Sequence, residues 1–320
     1  MVRATIQIQN GNIIQEVIAL DEINWELSRR KTPGKLTFSV LKDDLLNFTE
    51  GNQVKLTVDG KNLFYGFVTS KQRNDNDVIN VTALDQLFYL KLKDTYVYSG
   101  KSASDLVRII ANDFRLNVGT LENTRHTMSG VDDNKELFEI IQNALDETTS
   151  ITGEIFTLYD DFGKLTIKNI SNMRSNILID QETAQSFDYT TSIEGNTYNR
   201  IKLVYDDKDN GVREVYIAQS TASQNQWGIL QLYDTLEKGE NGQVKANTLL
   251  ANHNKRSRTL SINEAFGDVN VRAGTLIPIK LNIGDVELAN YMVVENVKHT
   301  FKDNEHTMTM TVIGGEFGGS

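Results

Sequence analysis

The chain has 320 residues, of which 39% are hydrophobic and 24% charged, and its formal net charge is −10. This composition is typical of a globular protein, and the length predicts two or three domains. The sequence contains no cysteine, which excludes disulfides, thiolate zinc sites, iron–sulfur clusters and a thiol nucleophile. An acidic chain repels phosphate backbones, so specific nucleic-acid binding is disfavoured.

The N-terminal residues alternate polar and apolar side chains instead of forming the apolar core of a signal peptide. No stretch of about 18 consecutive apolar residues occurs, which is the length that a membrane-spanning helix requires. The sequence therefore predicts neither secretion nor stable membrane insertion, and we expect the protein to fold in a cytoplasm.

Residues 1–98 alternate apolar and polar side chains in the way that is typical of half-buried strands. Leu36, Phe38 and Val40, for example, are separated by a threonine and a serine. Six or seven short strands at regular spacing predict a small N-terminal β-barrel domain over this range.

Residues 99–190 are predicted to form an α+β domain. Ser102 is a favourable N-cap for a first helix, whose apolar residues follow at helical spacing. A second helix is predicted over about 134–147, and residues 132–133, two aspartates, are expected to precede it near its positive end. A hairpin with its turn at 160–163 follows the second helix.

Residues 191–320 are predicted to form a second β-barrel domain that is interrupted by a helical insertion at about 224–255. Trp227, Leu230 and Tyr233 have helical spacing in the first of two predicted helices. These three side chains form either a face for core packing or a protein-interaction face, and the sequence leaves both interpretations open. The predicted fold class is thus mainly β with α+β insertions, in which an α+β domain separates two small β-barrels.

An acidic segment near residue 210 resembles the start of a calcium-binding loop. If Gly211 is aligned with the glycine of such a loop, Ile217 stands where a glutamate ligand is needed. The segment Asp209-Asn210-Gly211 is therefore predicted to be a hairpin turn, for which an Asn-Gly pair is favourable.

Motifs for catalysis or cofactor binding are missing from the sequence. No zinc-protease, nucleophile-elbow, phosphate-loop or dinucleotide-binding motif occurs. His299 and His306 flank a predicted turn, so they form either a two-histidine metal site or a pair of polar neighbours across two strands. We assign no catalytic, cofactor-binding or metal-binding residue, although 43 acidic residues leave a glycosidase-like carboxylate pair open.

The runs Val294–Phe301, His306–Met308 and Gly314–Phe317 and the segment Gln226–Tyr233 resemble the baseplate hub proteins of contractile phage tails and phage-tail-like bacteriocins. The similarity is to the PBSX/XkdQ-type hub family. It covers nearly the whole chain and includes the order of the domains.

This resemblance implies a structural protein without enzymatic activity or cofactor. In such a hub, three chains with two barrels each form a pseudo-hexameric ring, which adapts a hexameric tail tube to a trimeric central spike. The implied partners are two further copies of the chain, a tube or tube-initiator protein above, the spike below, and other baseplate or tape-measure components. The implied location is the baseplate of a virion or tail-like particle assembled in the host cytoplasm, and DNA crossing the acidic lumen is not bound specifically.

Two alternatives to the hub remain open from the residues alone. The first is a tail-associated cell-wall hydrolase, which would depend on a carboxylate pair. The second is a carbohydrate-binding β-module protein, which would need exposed aromatic side chains on strand faces, whereas aromatic residues make up only 8% of the chain.

Overall fold

The structure is a computed structural model that describes residues 1–207, 211–236, 239–283 and 286–314. Strands predominate in it, as predicted, and four α-helices accompany them in the described residues. The strands are β1 (Ala4–Asn10), β2 (Ile13–Val17), β3 (Ile23–Ser28), β4 (Lys35–Leu41), β5 (Gln53–Val58), β6 (Lys61–Arg73), β7 (Val78–Leu84), β8 (Lys93–Ser102), β9 (Val118–Leu121), β10 (Thr127–Glu136), β11 (Phe156–Asp160), β12 (Leu165–Asn169), β13 (Ser186–Ser192), β14 (Arg200–Asp207), β15 (Val212–Gln219), β16 (Gln231–Thr235), β17 (Ser257–Phe266), β18 (Leu276–Ile283), β19 (Val286–Lys302) and β20 (Glu305–Ile313). The helices are α1 (Ala103–Asp113), α2 (Leu137–Thr152), α3 (Thr221–Trp227) and α4 (Gly242–His253).

The first seven strands form one antiparallel β unit, the N-terminal β unit, as the alternating pattern predicts. Their inward side chains, such as Leu36, Phe38 and Val40, are buried in a common core. Burying large aliphatic and aromatic side chains in this way contributes about 1.5–3 kcal/mol each. After β2 the chain runs beside β4, where Ala19 forms a β-bridge with Val40.

The α+β unit contains α1, α2 and two small sheets, with its own apolar core. Ser102 caps α1 in a reciprocal capping box with Asp105, so the predicted N-cap is confirmed. Helix α2 begins at Leu137, later than predicted, because the preceding residues continue β10 and pair with β8. Asp132 and Asp133 precede α2 in the chain, but they do not lie at its first turn as predicted. Both lie in β10, where the Asp132 carboxylate accepts a hydrogen bond from the Tyr98 hydroxyl.

Strands β17, β18, β19 and β20 form the C-terminal β unit together with β13. Apolar side chains such as Ile262 and Met310 form the core of this unit. Strands β14, β15 and β16 form a separate three-stranded sheet, and the hairpin of β14 and β15 therefore does not belong to the main sheet. We call residues 196–255, which contain this sheet with α3 and α4, the insertion. The chain leaves the main sheet after Ser192 and returns to it at Ser257. These two residues are opposite each other in the pairing of β13 with β17.

Residues Asp209 and Asn210 of the predicted hairpin turn lie outside the described part of the chain. The strands that they connect, β14 and β15, do pair antiparallel. Among the described residues, no helix is long and apolar enough to cross a membrane.

One strand pair joins the N-terminal and C-terminal β units into a single twelve-stranded sheet. Strand β3 pairs antiparallel with the second half of β19, so that Trp25 lies opposite His299. Leu27, two residues further along β3, packs against the cores of both units. We call this strand pair the seam.

A buried ion pair lies at one end of the seam. The Arg29 Nε atom is 2.6 Å from a carboxylate oxygen of Glu295, and the two side chains are only 7% and 18% exposed. The neighbouring Arg30 is 43% exposed and contacts Asp146 of α2 at 3.0 Å. The seam is thereby linked to the α+β unit.

We expect Arg29→Met to lower the free energy of unfolding by about 3 kcal/mol, because the buried Glu295 carboxylate would lose its closer and more buried cation and keep only Arg30, whose Nε atom is 3.7 Å away. The matched variant Arg30→Met should lower it by less than about 1 kcal/mol, since this ion pair is exposed. Urea unfolding followed by tryptophan fluorescence measures both. Equal losses for the two variants would contradict the role given to the buried pair.

Candidate interaction surfaces and buried polar clusters

The three side chains predicted to share a helical face do not share one. Trp227 is the last residue of α3, which ends at Gly228 with a left-handed φ of 75°. Leu230 lies in the following loop, where its N–H donates to the Asn199 side chain, and Tyr233 lies in β16. The predicted single helix was wrong because the glycine ends it after two turns; the interaction role of the three residues stays a prediction.

Helix α4 covers one face of the insertion's sheet, and the opposite face has exposed side chains around the buried Val204. Helix α4 packs on the side of the sheet that carries Ile201 and Leu203. Cross-strand register places the other side chains on the opposite side of the sheet. We call this side the insertion face; its central members are Lys202, Arg213, Val215, Ile217 and Tyr233.

The insertion face combines exposed apolar groups with positive charge. Val215, Ile217 and Tyr233 are 48%, 40% and 49% exposed. The Arg213 guanidinium donates a 3.1 Å hydrogen bond to the Tyr233 hydroxyl, and Lys202 Nζ lies 5.8 Å from the centre of the Tyr233 ring. These contacts hold the ring in place across β14.

The charges on the insertion face are mainly basic. Arg200 also lies on this side, and the Asp206 carboxylate is 3.2 Å from Arg213 Nε. Among the residues of this face that the structure describes, three cations therefore stand with one anion, in a chain whose net charge is −10. Such a surface favours a partner that is both apolar and acidic.

A second group of exposed apolar side chains lies on both faces of β2 and in the segments beside it, where the Ala19–Val40 bridge joins the end of this region to β4. We call it the edge patch. Its exposed apolar members are Ile13, Ile14, Ile18, Leu20, Leu41 and Leu45, with exposures of 49% to 85%.

Two segments of chain hold the edge patch together. The Gln15 side chain donates to the backbone oxygen of Leu45 at 2.8 Å, and the Leu20 N–H donates to Ser39. The loop after β4 places the exposed carboxylates of Asp43 and Asp44 beside these apolar groups. Lys42 in the same loop contacts the backbone oxygen of Asp43.

A buried histidine pair lies in the hairpin of β19 and β20, as the spacing of the two residues around a turn predicts. His299 Nδ1 is 3.0 Å from His306 Nε2, and His299 Nε2 is 3.0 Å from the backbone oxygen of Val271. Since a carbonyl only accepts, His299 carries its proton on Nε2, and its Nδ1 accepts from His306. The His299 ring also stacks on Trp25 at the seam.

These contacts favour polar neighbours over a metal site. Both nitrogens of His299 are used in hydrogen bonds. Across the described ranges, no group of three or more histidine, aspartate or glutamate side chains is placed to hold a metal ion. Burial lowers the pKa of His299 to about 3 and that of His306 to about 4, although Asp268 and Asp59 oppose the shift at His306.

A buried cluster of two carboxylates and a guanidinium lies where the three units meet. Asp85 follows β7, Asp160 ends β11, and Arg272 precedes β18. The N–H groups of Gly34 and Leu87 donate to Asp85. Arg272 donates a 2.7 Å hydrogen bond to the backbone oxygen of Asp160, and its guanidinium lies 3.9 Å from the Tyr159 ring centre.

Burial raises the pKa of both carboxyl groups. The pKa of Asp160 rises to about 6, and that of Asp85 is raised by burial and by the charge of Asp160. Three buried polar atoms in this neighbourhood, Thr157 Oγ1, Asp160 Oδ2 and Arg272 Nε, have no hydrogen-bond partner among the described residues. The two carboxyl groups are 3% and 6% exposed, and backbone donors fix them, which suits a structural role at the junction better than access to a substrate.

A groove of about 590 Å³ runs along the outward side of the seam. Hydroxyl, lysine and aliphatic side chains form its walls, including Thr82, Lys35, Lys298 and Leu84. No aromatic side chain is among the described residues that line it. Sugar rings usually stack on aromatic side chains, so this groove does not have the character of a carbohydrate site.

Comparison with known proteins gives the family. Residues 23–313 match the model of the family described as YqbQ-like. The protein belongs to this family. It is 30% identical over 272 residues to the phage-like element PBSX protein XkdQ of Bacillus subtilis strain 168. The aligned region covers 83% of this chain and 82% of the relative. The resemblance to the PBSX/XkdQ-type family is thus confirmed.

Solved structures share the fold at low sequence identity. The 43 kDa tail protein of prophage MuSo2 from Shewanella oneidensis superposes with a TM-score of 0.68 at 12% identity, over 96% of this chain and 98% of that one. The E. coli c3393 protein, a type VI secretion component described as similar to T4 tail proteins gp27 and gp5, has a TM-score of 0.56 at 10% identity, over 96% and 76% of the two chains. The fold of this YqbQ-like protein is therefore that of phage tail proteins.

Sequence reasoning missed two of the sites. The buried cluster has no sequence signal, because Asp85, Asp160 and Arg272 lie far apart in the chain and meet only through the fold. The edge patch does have one: apolar residues occur at both odd and even positions between Ile13 and Leu20. A half-buried strand would be apolar at only one parity, so the pattern indicates a second apolar contact.

His306→Gln should make stability less dependent on pH. The unfolded state binds protons at each histidine below pH 6.5, whereas the folded protein does so only near pH 4 at His306 and near pH 3 at His299. Stability from the neutral pair is thus fully present above about pH 6.5 and falls as the pH drops towards 4. Glutamine does not titrate and keeps an N–H donor for His299 Nδ1.

As the pH falls from 6.5 to 4, wild type should therefore lose more unfolding free energy than the His306→Gln variant. The slope should be below the ideal value of about 1.4 kcal/mol per pH unit for one proton, because His306 is partly screened by solvent. Urea unfolding at several pH values measures it, and half-buried His253→Gln is the control. A difference independent of pH would contradict the shifted pKa.

Asp160→Asn should show the opposite dependence. Because the folded protein holds a proton on Asp160 up to about pH 6, wild type loses stability as the pH rises from about 3.8 to 6. The asparagine variant lacks this loss, so its stability relative to wild type should increase over the same range. Thermal unfolding at pH 4, 5, 6 and 7 measures it, with exposed Asp75→Asn, far from this cluster in the sequence, as the control; parallel curves for Asp160→Asn and wild type would disprove the buried titration.

Proposed function

We propose that this YqbQ-like protein is a structural baseplate hub, in which three copies form a ring that adapts the hexameric tail tube to a trimeric central spike. The partners are then two further copies of the chain, a tube or tube-initiator protein, the spike, and other baseplate or tape-measure components. The protein acts in the baseplate of a virion or tail-like particle that is assembled in the host cytoplasm.

The observation that carries this proposal is the twelve-stranded sheet. Within a single chain, this sheet joins two β units through the pairing of β3 with β19. Three such chains present six β units around an axis while keeping threefold symmetry in the other parts. The similarity in fold to tail proteins supports this arrangement, as does the likeness of the type VI component to T4 gp27 and gp5.

The domain boundaries are part of the proposal. We propose β-barrel domains at 1–98 and 191–320, with the α+β domain at 99–190 between them. The separate apolar cores of the three units support this division. The bridge from Ala19 to Val40 and the bridge from Ile179 to Ile279 support closure of each β unit.

The two alternative functions are supported less well. A cell-wall hydrolase would need carboxyl groups that reach a substrate, whereas the pair with raised pKa values, Asp85 and Asp160, is buried at a junction. A carbohydrate-binding protein would need aromatic side chains in a groove, and the groove at the seam is lined by other residue types. A second cavity is lined by Tyr65, Phe67, Tyr89 and Phe114, but its volume of about 250 Å³ is below the range of ordinary ligand sites. We therefore propose a mechanical role without chemistry.

Light scattering on a sizing column tests the proposal with the full chain. We expect about 108 kDa, which is three times the chain mass of 36.0 kDa, and threefold rings in negative-stain images of the same peak. Bovine serum albumin serves as the calibration control. A monomeric peak at every concentration, together with hydrolysis of purified cell wall, would contradict the hub and favour the enzyme.

A further inference from the structure

We infer that the outer edge of β15 binds an extended segment of a partner protein, which adds a further strand to the three-stranded sheet of the insertion. The side chains of that segment on the insertion face are then apolar and acidic. This contact is with a different protein, so it goes beyond the proposed ring and holds whether or not the chain forms trimers.

Strand β15 lies at the edge of its sheet. The order of strands is β15, β14 and β16, so β15 pairs with β14 on one side only. Hydrogen bonds in an antiparallel pair use alternate residues. The Ser220 N–H donates to the Asn199 oxygen directly beyond the paired residues. The residues of β15 that bond to β14 are therefore Ala218, Tyr216 and Glu214, at steps of two.

The residues between them direct their backbone groups outward. The N–H and C=O groups that point away from β14 belong to Arg213, Val215, Ile217 and Gln219. Within the described ranges, no other strand or loop forms a backbone hydrogen bond with them. A row of outward donors and acceptors at every second residue is the pattern that another extended backbone satisfies.

The edge lacks the features that usually block pairing with another chain. Edge strands in soluble proteins are commonly very short, contain proline or lysine, or are broken by a bulge. Strand β15 has eight residues without proline or lysine, and its register with β14 is continuous. The other edge of the sheet, β16, has only five residues, one of them Asp234. The structure thus favours β15 as the pairing edge.

The insertion face beside this edge specifies the side chains of the partner. Val215 and Ile217 are β-branched and 48% and 40% exposed, so apolar side chains on an added strand would cover them favourably. Arg213 lies on the same side of β15, where the described cations outnumber the anions. A carboxylate next to Arg213 completes the match.

A second copy of this chain suits the edge less well. Antiparallel pairing of β15 with itself would join two basic faces into one surface, with a second Arg213 and a second Lys202 on the same side of the sheet. Like charges on neighbouring strands oppose such pairing. The charge of the face therefore favours a different, acidic chain as the occupant.

A synthetic peptide tests the pairing on the full chain. The peptide acetyl-Thr-Val-Thr-Val-Thr-Asp-Thr-amide, placed antiparallel to β15, puts its valines beside Ile217 and Val215 and its aspartate beside Arg213. We expect isothermal titration calorimetry to show saturable binding. Hydrogen exchange, read at single residues by mass spectrometry, should slow at the amides of Val215 and Ile217, whereas those of Tyr216 and Glu214 are slow already.

N-methylation of the peptide separates backbone pairing from attraction between side chains. One peptide carries methyl groups on the nitrogens of its valines and aspartate, and the matched control carries them on its last three threonines. These two sets of nitrogens point to opposite edges of the extended peptide, so only the first set blocks hydrogen bonds to β15. We expect affinity to fall at least about tenfold for the first peptide and much less for the control. The reverse order would indicate a parallel added strand, and equal losses for the two peptides overturn the pairing.

Charge reversal at Arg213 tests the acidic character of the partner. Arg213→Glu should weaken binding of the peptide at least about tenfold, and a peptide with lysine in place of its aspartate should restore it. Arg108→Glu makes the same change on the exposed surface of α1 and should leave binding unaltered. Circular dichroism checks the fold of both variants. Unchanged binding to Arg213→Glu would overturn the acidic class of partner.

The outcomes are distinguishable from those for the ring. A trimeric chain that neither binds the peptide nor gains protection in β15 overturns this contact and leaves the proposed function in place. Protection of Val215 and Ile217 that grows with the concentration of the chain alone assigns the edge to a second copy and overturns the contact with a different protein. A monomeric chain that binds the peptide supports the contact and counts against the ring.

Discussion

The pairing of β3 with the second half of β19 is the constraint on which the rest of the structure depends. Strand β3 comes from the start of the chain and β19 from near its end, so this pair brings the two β units into one sheet. The buried ion pair of Arg29 with Glu295 and the stacking of Trp25 on His299 both lie at this seam. A long-range pair of this kind closes a large loop, and the apolar cores on either side offset that entropic cost.

Polar groups are buried where the units meet. The histidine pair lies beside the seam, and Asp85, Asp160 and Arg272 lie where the α+β unit contacts both β units. The hydrogen bonds that these buried groups do make, from His306 to His299 and from Arg272 to the backbone oxygen of Asp160, are directional and are lost when the units slide against each other, whereas apolar contacts tolerate sliding. These clusters therefore help to fix the relative positions of the units.

The exposed surfaces lie away from these junctions. The insertion face and the edge patch both expose apolar side chains, such as Ile217 and Ile18, to solvent. Membership of the YqbQ-like family and the fold of tail proteins agree with such a part in a larger assembly.

The sequence by itself determined the strand-rich class, the cap of α1 at Ser102, the hairpin that brings His299 and His306 together, and the resemblance to the family. These features depend on local periodicity, turn residues and short spacings, which are visible in a single chain segment. Only the tertiary structure decided that β14 and β15 leave the main sheet, that Tyr233 lies on a strand, and that Asp85, Asp160 and Arg272 meet. Those facts depend on contacts between residues far apart in sequence, and no local pattern encodes which distant segments pack together.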